Sequence, residues 1–511
     1  MKRLFKTVAV VTTFSIGERF LGFLYRIFLS RTLGAEGLGI YQIALSVFGV
    51  LITITASGIP VTVSRMIIKH KTENNKKGVY QTISAGIVTA LIFSLPVTLL
   101  YFLFKNKLGF FFSDKRCLTV LTIIIPSLAI NSVYAVVRGN FWGNKNFFIY
   151  SLIEFLEEFV MIASGIIMVG LSSSLIQGVK TASYAVLISY IFSFVLSAIV
   201  MIAMKNKPAN PIPQLKPLLA SATPITAMRT TTSLINSLIA IILPARLIKY
   251  GLTSSQAVAY FGEVSGMAIP MLFIPSSLIG SIALVLVPEL SENYYKQNYE
   301  TMSANISKAL KYSIMIACMI IPVFFSCGIL IGETVYSNKN AGSYLVFSAF
   351  IMLPMSISMI TTSLLNSMNS EKKTLVYYLL GEAGLILSIY FLPKFIGAGS
   401  LIAGYYFSFT LSSILNLKLL GKKCKTKIYY KKFLICAFLF TLPSIALGIF
   451  IRNILITFMN KALTLFISVL VVSFFNLLFY VVFGIINVKK LFKVRNFNDK
   501  TAKNATQNSV Y

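Results

Sequence analysis

Histidine and tryptophan each occur only once in this chain of 511 residues. The one histidine, His70, sits in the charged stretch Lys69-His70-Lys71 at a helix end, so the sequence supports no histidine metal site and no enzyme constellation around it. The five cysteines (Cys117, Cys318, Cys327, Cys424 and Cys436) follow no ligand or pairing pattern, which excludes a metal ribbon or a disulfide framework. Asp and Glu together number 15, and charged residues make up 12% of the chain, against roughly 25% in an ordinary soluble protein. No glycine-rich phosphate loop follows a strand-like run, and no carboxylate pair stands in a loop of useful size. The sequence therefore supplies no catalytic residue, no metal ligand and no cofactor site, and it reads as something other than an enzyme.

What the chain does have is apolar length. Hydrophobic residues are 56% of it and the mean hydropathy is +0.80. Windows of about 19 residues predict about fourteen crossings. Six (8–33, 39–68, 79–104, 117–137, 147–170 and 182–204) precede a proline-rich stretch, and eight (218–248, 258–288, 309–331, 344–365, 375–392, 400–420, 433–451 and 463–486) follow it. The expected fold class is an all-α polytopic membrane protein. Lys2, Arg3 and Lys6 lead into a first segment too long for a secretory signal, so it is predicted to stay as a helix.

The net charge of +31 is spread over short loops and both ends rather than gathered in a basic domain, which argues against a nucleic-acid partner. The positive-inside rule assigns the basic stretches 69–77, 205–216, 418–432 and 489–503 to the cytoplasmic face, and with them both termini. Pro208, Pro211, Pro213 and Pro217 mark 205–217 as an extended cytoplasmic linker. The predicted domains are a six-helix N-terminal lobe (1–204), that linker, a six-helix C-terminal lobe (218–420), an additional two-helix pair (421–486) and a basic cytoplasmic tail (487–511).

Charges inside the predicted spans carry the functional signal, because each costs about 2.5–3.5 kcal/mol at the bilayer centre. The first span holds Glu18, Arg19 and Arg26. Arg19 and Arg26 (i, i+7) fall within roughly 20° of one another on a helix, with Gly22 leaving that face open, the pattern of a cavity wall that receives an anion. Snorkelling of Arg26 and a structural Glu18–Arg19 pair are the competing readings. Polar residues step by three or four along 42–64 and 223–237, a pattern that helix packing in membranes also uses. Arg229 lies about eleven residues into its span, roughly 16 Å deep. Glu263 is either a proton or cation acceptor or a charge partner of Arg229, and the same two readings apply to Glu18. Packing spans one and two against seven and eight would gather Arg19, Arg26, Arg229 and Glu263 in one compartment. Glu154, Glu157 and Glu158 are expected near the inner interface, paired with the basic residues of 138–145. Glu382 has no cationic partner in the sequence pattern and is expected to be protonated in an apolar site.

The run Arg19-Phe20-Leu21-Gly22-Phe23-Leu24-Tyr25-Arg26, followed by Arg31-Thr32-Leu33-Gly34-Ala35-Glu36-Gly37, resembles the opening of the polysaccharide and lipid-linked oligosaccharide exporters. Ser57-Gly58-Ile59-Pro60, Arg138-Gly139-Asn140-Phe141-Trp142-Gly143 and Leu392-Pro393-Lys394-Phe395 extend the likeness over nearly the whole chain, most similar to the stage V sporulation protein B branch, akin to lipid II flippases. The resemblance implies the fold of the multidrug/oligosaccharidyl-lipid/polysaccharide exporter superfamily: two six-helix lobes in a V shape, here with an extra helix pair, in a bacterial plasma membrane. It implies that Arg19, Arg26, Arg65 and Arg229 bind the pyrophosphate of an undecaprenyl-linked saccharide during inner-to-outer transfer. Glu18 and Glu263 are the candidates for ion coupling by proton or sodium; the membrane potential is the other candidate drive. The implied partners are that lipid substrate and the membrane lipids around a monomer, with cell-envelope synthesis proteins as further partners. Two readings compete: a multidrug or cation antiporter of the same superfamily, and a non-transporting scaffold in envelope synthesis.

Overall fold

The computed structural model describes residues 2–204, 207–424 and 428–482. Cys436 lies within that range but its side chain does not belong to the description, and the basic tail 487–511 lies outside it. Every regular element among the described residues is helical. The first part of the chain forms α1 (Lys2–Ala56), α2 (Ile59–Thr72), α3 (Lys76–Leu108), α4 (Lys115–Ile124), α5 (Ser127–Gly143), α6 (Phe147–Gly170), α7 (Leu175–Ala203), α8 (Ile212–Lys249) and α9 (Ser254–Phe261). A π-helical turn, Gly262–Ala268, joins α9 to α10 (Ile269–Phe273). Then follow α11 (Ser276–Tyr295), α12 (Tyr299–Tyr336), α13 (Lys339–Ser348), α14 (Met352–Asn366), α15 (Glu371–Phe391), α16 (Pro393–Ile396), α17 (Gly399–Cys424), α18 (Lys431–Phe458) and α19 (Lys461–Val482).

α1 is two helices joined at Gly34, whose φ of 66° and ψ of −174° break the helical run. A Cβ there would meet nothing within 4 Å, so it is the backbone conformation and not space that selects glycine. The first arm, 2–33, runs beside α6: Gly17 abuts Phe155 and Gly165 abuts Tyr25. The second arm, 35–56, runs beside α7, with Gly37 at Val179 and Phe48 at Tyr190. Because α6 and α7 are joined by the short turn 171–174, they run in opposite directions, and so do the two arms of α1.

Among the described residues nine helical stretches are long and apolar enough to cross a membrane, or up to eleven if two bent pairs, α4 with α5 and α9–α10 with α11, each count as one. The expected fourteen are reached only by counting the folded-back stretch Val11–Thr72 twice and by adding α6 and α17. α6 has the length, at 24 residues, but its three glutamates make it too charged for an ordinary span. The chain is a multi-pass membrane protein.

Helix packing divides the chain into one unit of residues up to 270 with 385–404, and a second of 271–384 with residues from 405 onward. In the first, Val63, Ile67, Ala85, Val136 and Leu218 meet in a buried core. In the second, α12 is central. Ile306, Leu310 and Ile314 of α12 pack with Leu364 and Leu420, and Asn476 and Tyr480 of α19 donate to the α12 carbonyls of Cys318 (3.0 Å) and Met315 (3.5 Å). The proline-rich linker is shorter than the sequence suggests. α8 begins at Ile212, with Pro213 in its first turn, where no amide donor is required, and with Pro217 inside the helix.

Candidate functional site

α6 carries three glutamates, Glu154, Glu157 and Glu158, and no basic residue, and a polar cluster of the first unit forms around them. Glu154 pairs with Arg138 of α5 at 3.1 Å, and the Arg138 guanidinium also lies 5.0 Å over the ring of Tyr134 one turn earlier. Glu157 faces Ser193 of α7 with one carboxylate oxygen and buries the other, Oε2, without a hydrogen-bond partner. Glu158 Oε1 occupies the notch that Gly22 leaves in the first arm of α1; a Cβ there would stand 2.9 Å from that oxygen. Glu18, one turn before Gly22, feels the charges of Glu154, Glu158, Arg138 and Arg19. These glutamates were expected at the inner interface. Glu158 is instead about eleven residues into its helix, roughly 16 Å, opposite the middle of the arginine-bearing arm. Of the expected partners only Arg138 reaches them as an ion pair.

The arginines singled out in the sequence are spread over several depths. Arg19 is exposed, and Arg26, seven residues or roughly 10 Å further along the same arm, is half-buried within electrostatic reach of Tyr41. Arg65 is exposed on α2. Arg229 is exposed on α8 and donates from Nη1 to the Ser57 carbonyl at 3.0 Å, at the break between α1 and α2. That break presses closely on α8: a Cβ on Gly58 would lie 2.3 Å from the Ala222 carbonyl oxygen. Arg26 thus lies level with residue 41 and Arg229 level with residue 57. The difference of sixteen residues is roughly 24 Å along the second arm.

Glu263 is buried, 5% exposed, in the π-helical turn, whose Gly262 and Gly266 press on Ala35 and Leu38. That is the opposite end of the second arm from Ser57, so the structure does not bring Glu263 and Arg229 together. In the second unit Glu382 of α15 is buried and accepts from Ser408 of α17 at 3.2 Å. The hydroxyl stripes are largely turned inward on their own helices: Ser46 donates to the Gln42 carbonyl, Thr53 to Gly49, Thr223 to Leu219 and Thr230 to Thr226. They smooth the α1–α8 contact and leave few donors for a ligand.

A second polar site was not anticipated. At the end of the bundle where α1 reverses, Arg116 joins Glu36 (2.6 Å) to Asp114 (2.6 Å), and Ser254 of α9 donates to Asp114 at 3.3 Å and to the Ser113 carbonyl at 2.7 Å. Asp114 also caps α4 through the Arg116 amide at 2.9 Å. Burial opposes ionisation of Asp114, but the hydrogen bonds and charge of Arg116 outweigh it and hold the carboxyl below its ordinary value. Ser113-Asp114-Lys115-Arg116 could have been read as a capped helix start, although nothing in the sequence points to Glu36 as its partner.

Among the described residues no three His, Cys, Asp or Glu side chains stand close enough to hold a metal ion. Cys117, Cys318, Cys327 and Cys424 are buried free thiols.

Comparison with known proteins gives consistent results. A family model described as "Polysaccharide biosynthesis protein" matches residues 4–294. Stage V sporulation protein B of Bacillus subtilis (strain 168) is 23% identical over 350 residues, 66% of this chain and 67% of that protein. Lipid II flippase MurJ of the same organism is 21% identical over 443 residues, 78% of this chain and 79% of its own. Among solved structures, the inward closed conformation of lipid II flippase MurJ superposes with a TM-score of 0.72 at 15% identity, covering 93% of this chain and 98% of that one. An inward-facing multidrug resistance MATE family transporter of the MOP superfamily gives 0.66 at 16% identity, covering 80% and 96%. At these identities the structural likeness speaks for the fold alone.

Proposed function

This chain belongs to the polysaccharide biosynthesis protein family, and from that premise we propose that it is a flippase that carries a lipid-linked saccharide across the membrane. The cargo we assign is an undecaprenyl-pyrophosphate-linked saccharide, lipid II or a related precursor for cell wall, spore cortex or polysaccharide. The names of its relatives, a stage V sporulation protein and a lipid II flippase, support that class.

One observation carries the reading. Arg19 on the first arm of α1, Arg65 on the short helix α2 and Arg229 on α8 present guanidinium groups at exposed positions, and Arg26 stands half-buried between the depths of Arg19 and the α1 turn. Planar guanidinium forks bind pyrophosphate oxygens through paired, charge-assisted hydrogen bonds. Their spacing favours a ladder over one clamp: an anion would pass from Arg229 and Arg65 toward Arg19 and then Arg26. With both termini cytoplasmic, that direction is outward, and a potential negative inside contributes about 2.3 kcal/mol per charge per 100 mV to it.

The test is reconstitution. Proteoliposomes loaded with a fluorescent undecaprenyl-pyrophosphate saccharide should expose it to a membrane-impermeant quencher faster than protein-free vesicles. Arg229→Ala should slow that exposure by roughly tenfold or more, the value of one charge-assisted bond. Wild-type protein that leaves the exposure rate unchanged would end the proposal.

A further inference from the structure

One group of cations in the first unit has no anion opposite it. α8 ends in Arg246 and Lys249, and α16, which packs beside that end, carries Lys394. None of the three forms an ion pair among the described residues, and neither 241–254 nor 386–400 contains an Asp or Glu. Arg246 is held by aromatic residues instead. Its Nε donates to the Tyr390 carbonyl at 2.8 Å and its Nη2 to the Tyr250 hydroxyl at 2.6 Å. The guanidinium also lies 4.1 Å over the Tyr390 ring and 5.2 Å over that of Tyr250. These contacts orient the fork but bring no negative charge to it. An arginine has five N–H donors; two are used here, and the others have no partner among the described residues. A helix C-terminus by itself favours a nearby cation, but Arg246 turns to the Tyr390 carbonyl of α15 and not to its own last turn.

Two further observations say what fits there. The cations stand among bare apolar side chains: Lys394 lies 5.8 Å over the ring of Phe395, which is 74% exposed, and Phe391 and Ile396 are exposed on the same short segment. A dissolved anion gains nothing from such a surface, whereas the headgroup boundary of a bilayer takes aromatic rings and basic side chains together. The level agrees. α3 and α8 run side by side, with the Ala209 amide donating to Ser84 at 3.1 Å near the start of both. α3 then ends as α8 does, in a lysine over a ring, Lys107 over Phe104, and in Phe110, 93% exposed. Two neighbouring apolar helices that finish this way mark one membrane surface, the one away from the proline-rich linker.

We propose that Arg246, Lys249 and Lys394 bind the headgroup phosphate of an anionic phospholipid, with Tyr250, Tyr390 and Phe395 against the apolar part of the same molecule. The unused N–H groups of Arg246 donate to the phosphodiester oxygens, and the two lysines add attraction that a zwitterionic lipid, which brings its own cation, does not need. With both termini cytoplasmic, this surface lies in the outer leaflet. It includes none of the arginines assigned to the cargo, so it stands whatever is transported.

Brominated lipids test it in the full-length protein. Trp142→Phe removes the one native indole, and Phe395→Trp places a reporter on the surface. In nanodiscs of phosphatidylcholine, a minor fraction of phosphatidylglycerol with brominated chains should quench that reporter as though enriched roughly fivefold around it, the value of one basic residue at an anionic surface. Brominated phosphatidylcholine should quench only according to its bulk fraction. Arg246→Gln with Lys394→Gln should erase the difference while leaving quenching by brominated phosphatidylcholine as it was, which shows the helix end still seated in the membrane. Lys249→Gln, at an exposed position that leaves the Arg246 contacts intact, should by itself lower the enrichment, and excess inorganic phosphate should not. Equal quenching by the two lipids would make the patch an unselective interfacial belt and overturn the proposal. So would an enrichment that survives all three glutamine substitutions, or one that phosphate abolishes, because the ligand would then be a dissolved anion.

Discussion

Arg116 Nη2 stands 2.6 Å from Glu36 Oε1, joining two residues eighty positions apart at the end of the bundle where α1 reverses. The same guanidinium holds Asp114, which in turn receives Ser254, so one side chain links the α1 turn, the start of α4 and the start of α9. Arg116→Lys keeps the charge and loses the fork that spans two carboxylates. It should lower the melting temperature in detergent by an amount equivalent to about 1–3 kcal/mol, the usual cost of hydrogen bonds to charged groups. A lysine variant as stable as wild type would show that charge alone suffices there.

Asp114 gives that site a pH dependence of known sign. Its carboxyl is held below its unfolded value, so the stabilisation is complete above the ordinary aspartate value of about 3.9 and fades as pH falls through the lower folded value. Melting curves between pH 6 and roughly pH 3 should therefore show an acid-side loss in wild type that is smaller in Asp114→Asn, whose baseline stability is lower throughout. Parallel curves for the two proteins would assign the acid sensitivity to other groups.

The sequence disclosed the membrane class and the arginines but not their grouping, and the physical reason differs in each case. Arg19 and Arg26 were legible because i, i+7 spacing fixes a helix face without reference to anything else. Arg229 was legible by depth, but its neighbour was not. The fold-back at Gly34 decides which depth of α1 meets which depth of α8, and a positive-φ glycine looks in sequence like any other. Glu263 was placed with Arg229 by packing spans one and two against seven and eight, but the sequence does not say that the two meet the second arm of α1 at opposite ends, at Ala35 and at Ser57. Glu158 was placed at the inner interface because it follows soon after the basic stretch 138–145. Only the side-chain-free notch at Gly22 makes room for it inside.

The Arg138–Glu154 pair should behave as a buried pair does. The side chains are 26% and 23% exposed, and removing one partner leaves the other short of compensation. Arg138→Met should destabilise by about 3 kcal/mol, the lower end of the range for a broken buried pair, while Arg138→Met with Glu154→Leu should recover much of the loss. Melting temperatures of the four proteins decide it, and a double variant no better than the single one would mean that Arg138 is held by the cluster as a whole.

The proposed orientation can be checked at the exposed start of the second half. Lys207→Cys places a thiol outside the helices, whereas Cys117, Cys318, Cys327 and Cys424 are buried. A membrane-impermeant maleimide should label it in inverted vesicles and leave it untouched in intact cells if the proposed orientation, read from loop charge near helix ends, holds. Labelling in intact cells would reverse the topology, and with it the direction of transport along the arginine ladder.

Arg229 and Glu263 supply the sharpest test of that ladder, because they sit at opposite ends of the second arm of α1, some twenty residues or roughly 30 Å apart along it. Arg229→Lys keeps a cation but replaces the planar fork by a point charge, so transport should fall almost as far as with Arg229→Ala. A purely electrostatic ladder would tolerate lysine, and near-normal rates would reduce the role of Arg229 to charge attraction. Glu263→Gln changes a buried group pressed against the α1 turn at constant shape. If the two residues act independently, as their separation requires, the loss in Arg229→Ala with Glu263→Gln should equal the sum of the single losses within about 0.5 kcal/mol, expressed as the logarithm of the transport rate. A shared clamp predicts the opposite: once Arg229 is gone, removing the charge of Glu263 should cost little or even restore activity. Vesicle flipping rates of the wild type, the two single variants and the double variant, measured at one protein density, separate these outcomes, and coupling above about 1 kcal/mol would bring the two residues back into one compartment during the cycle.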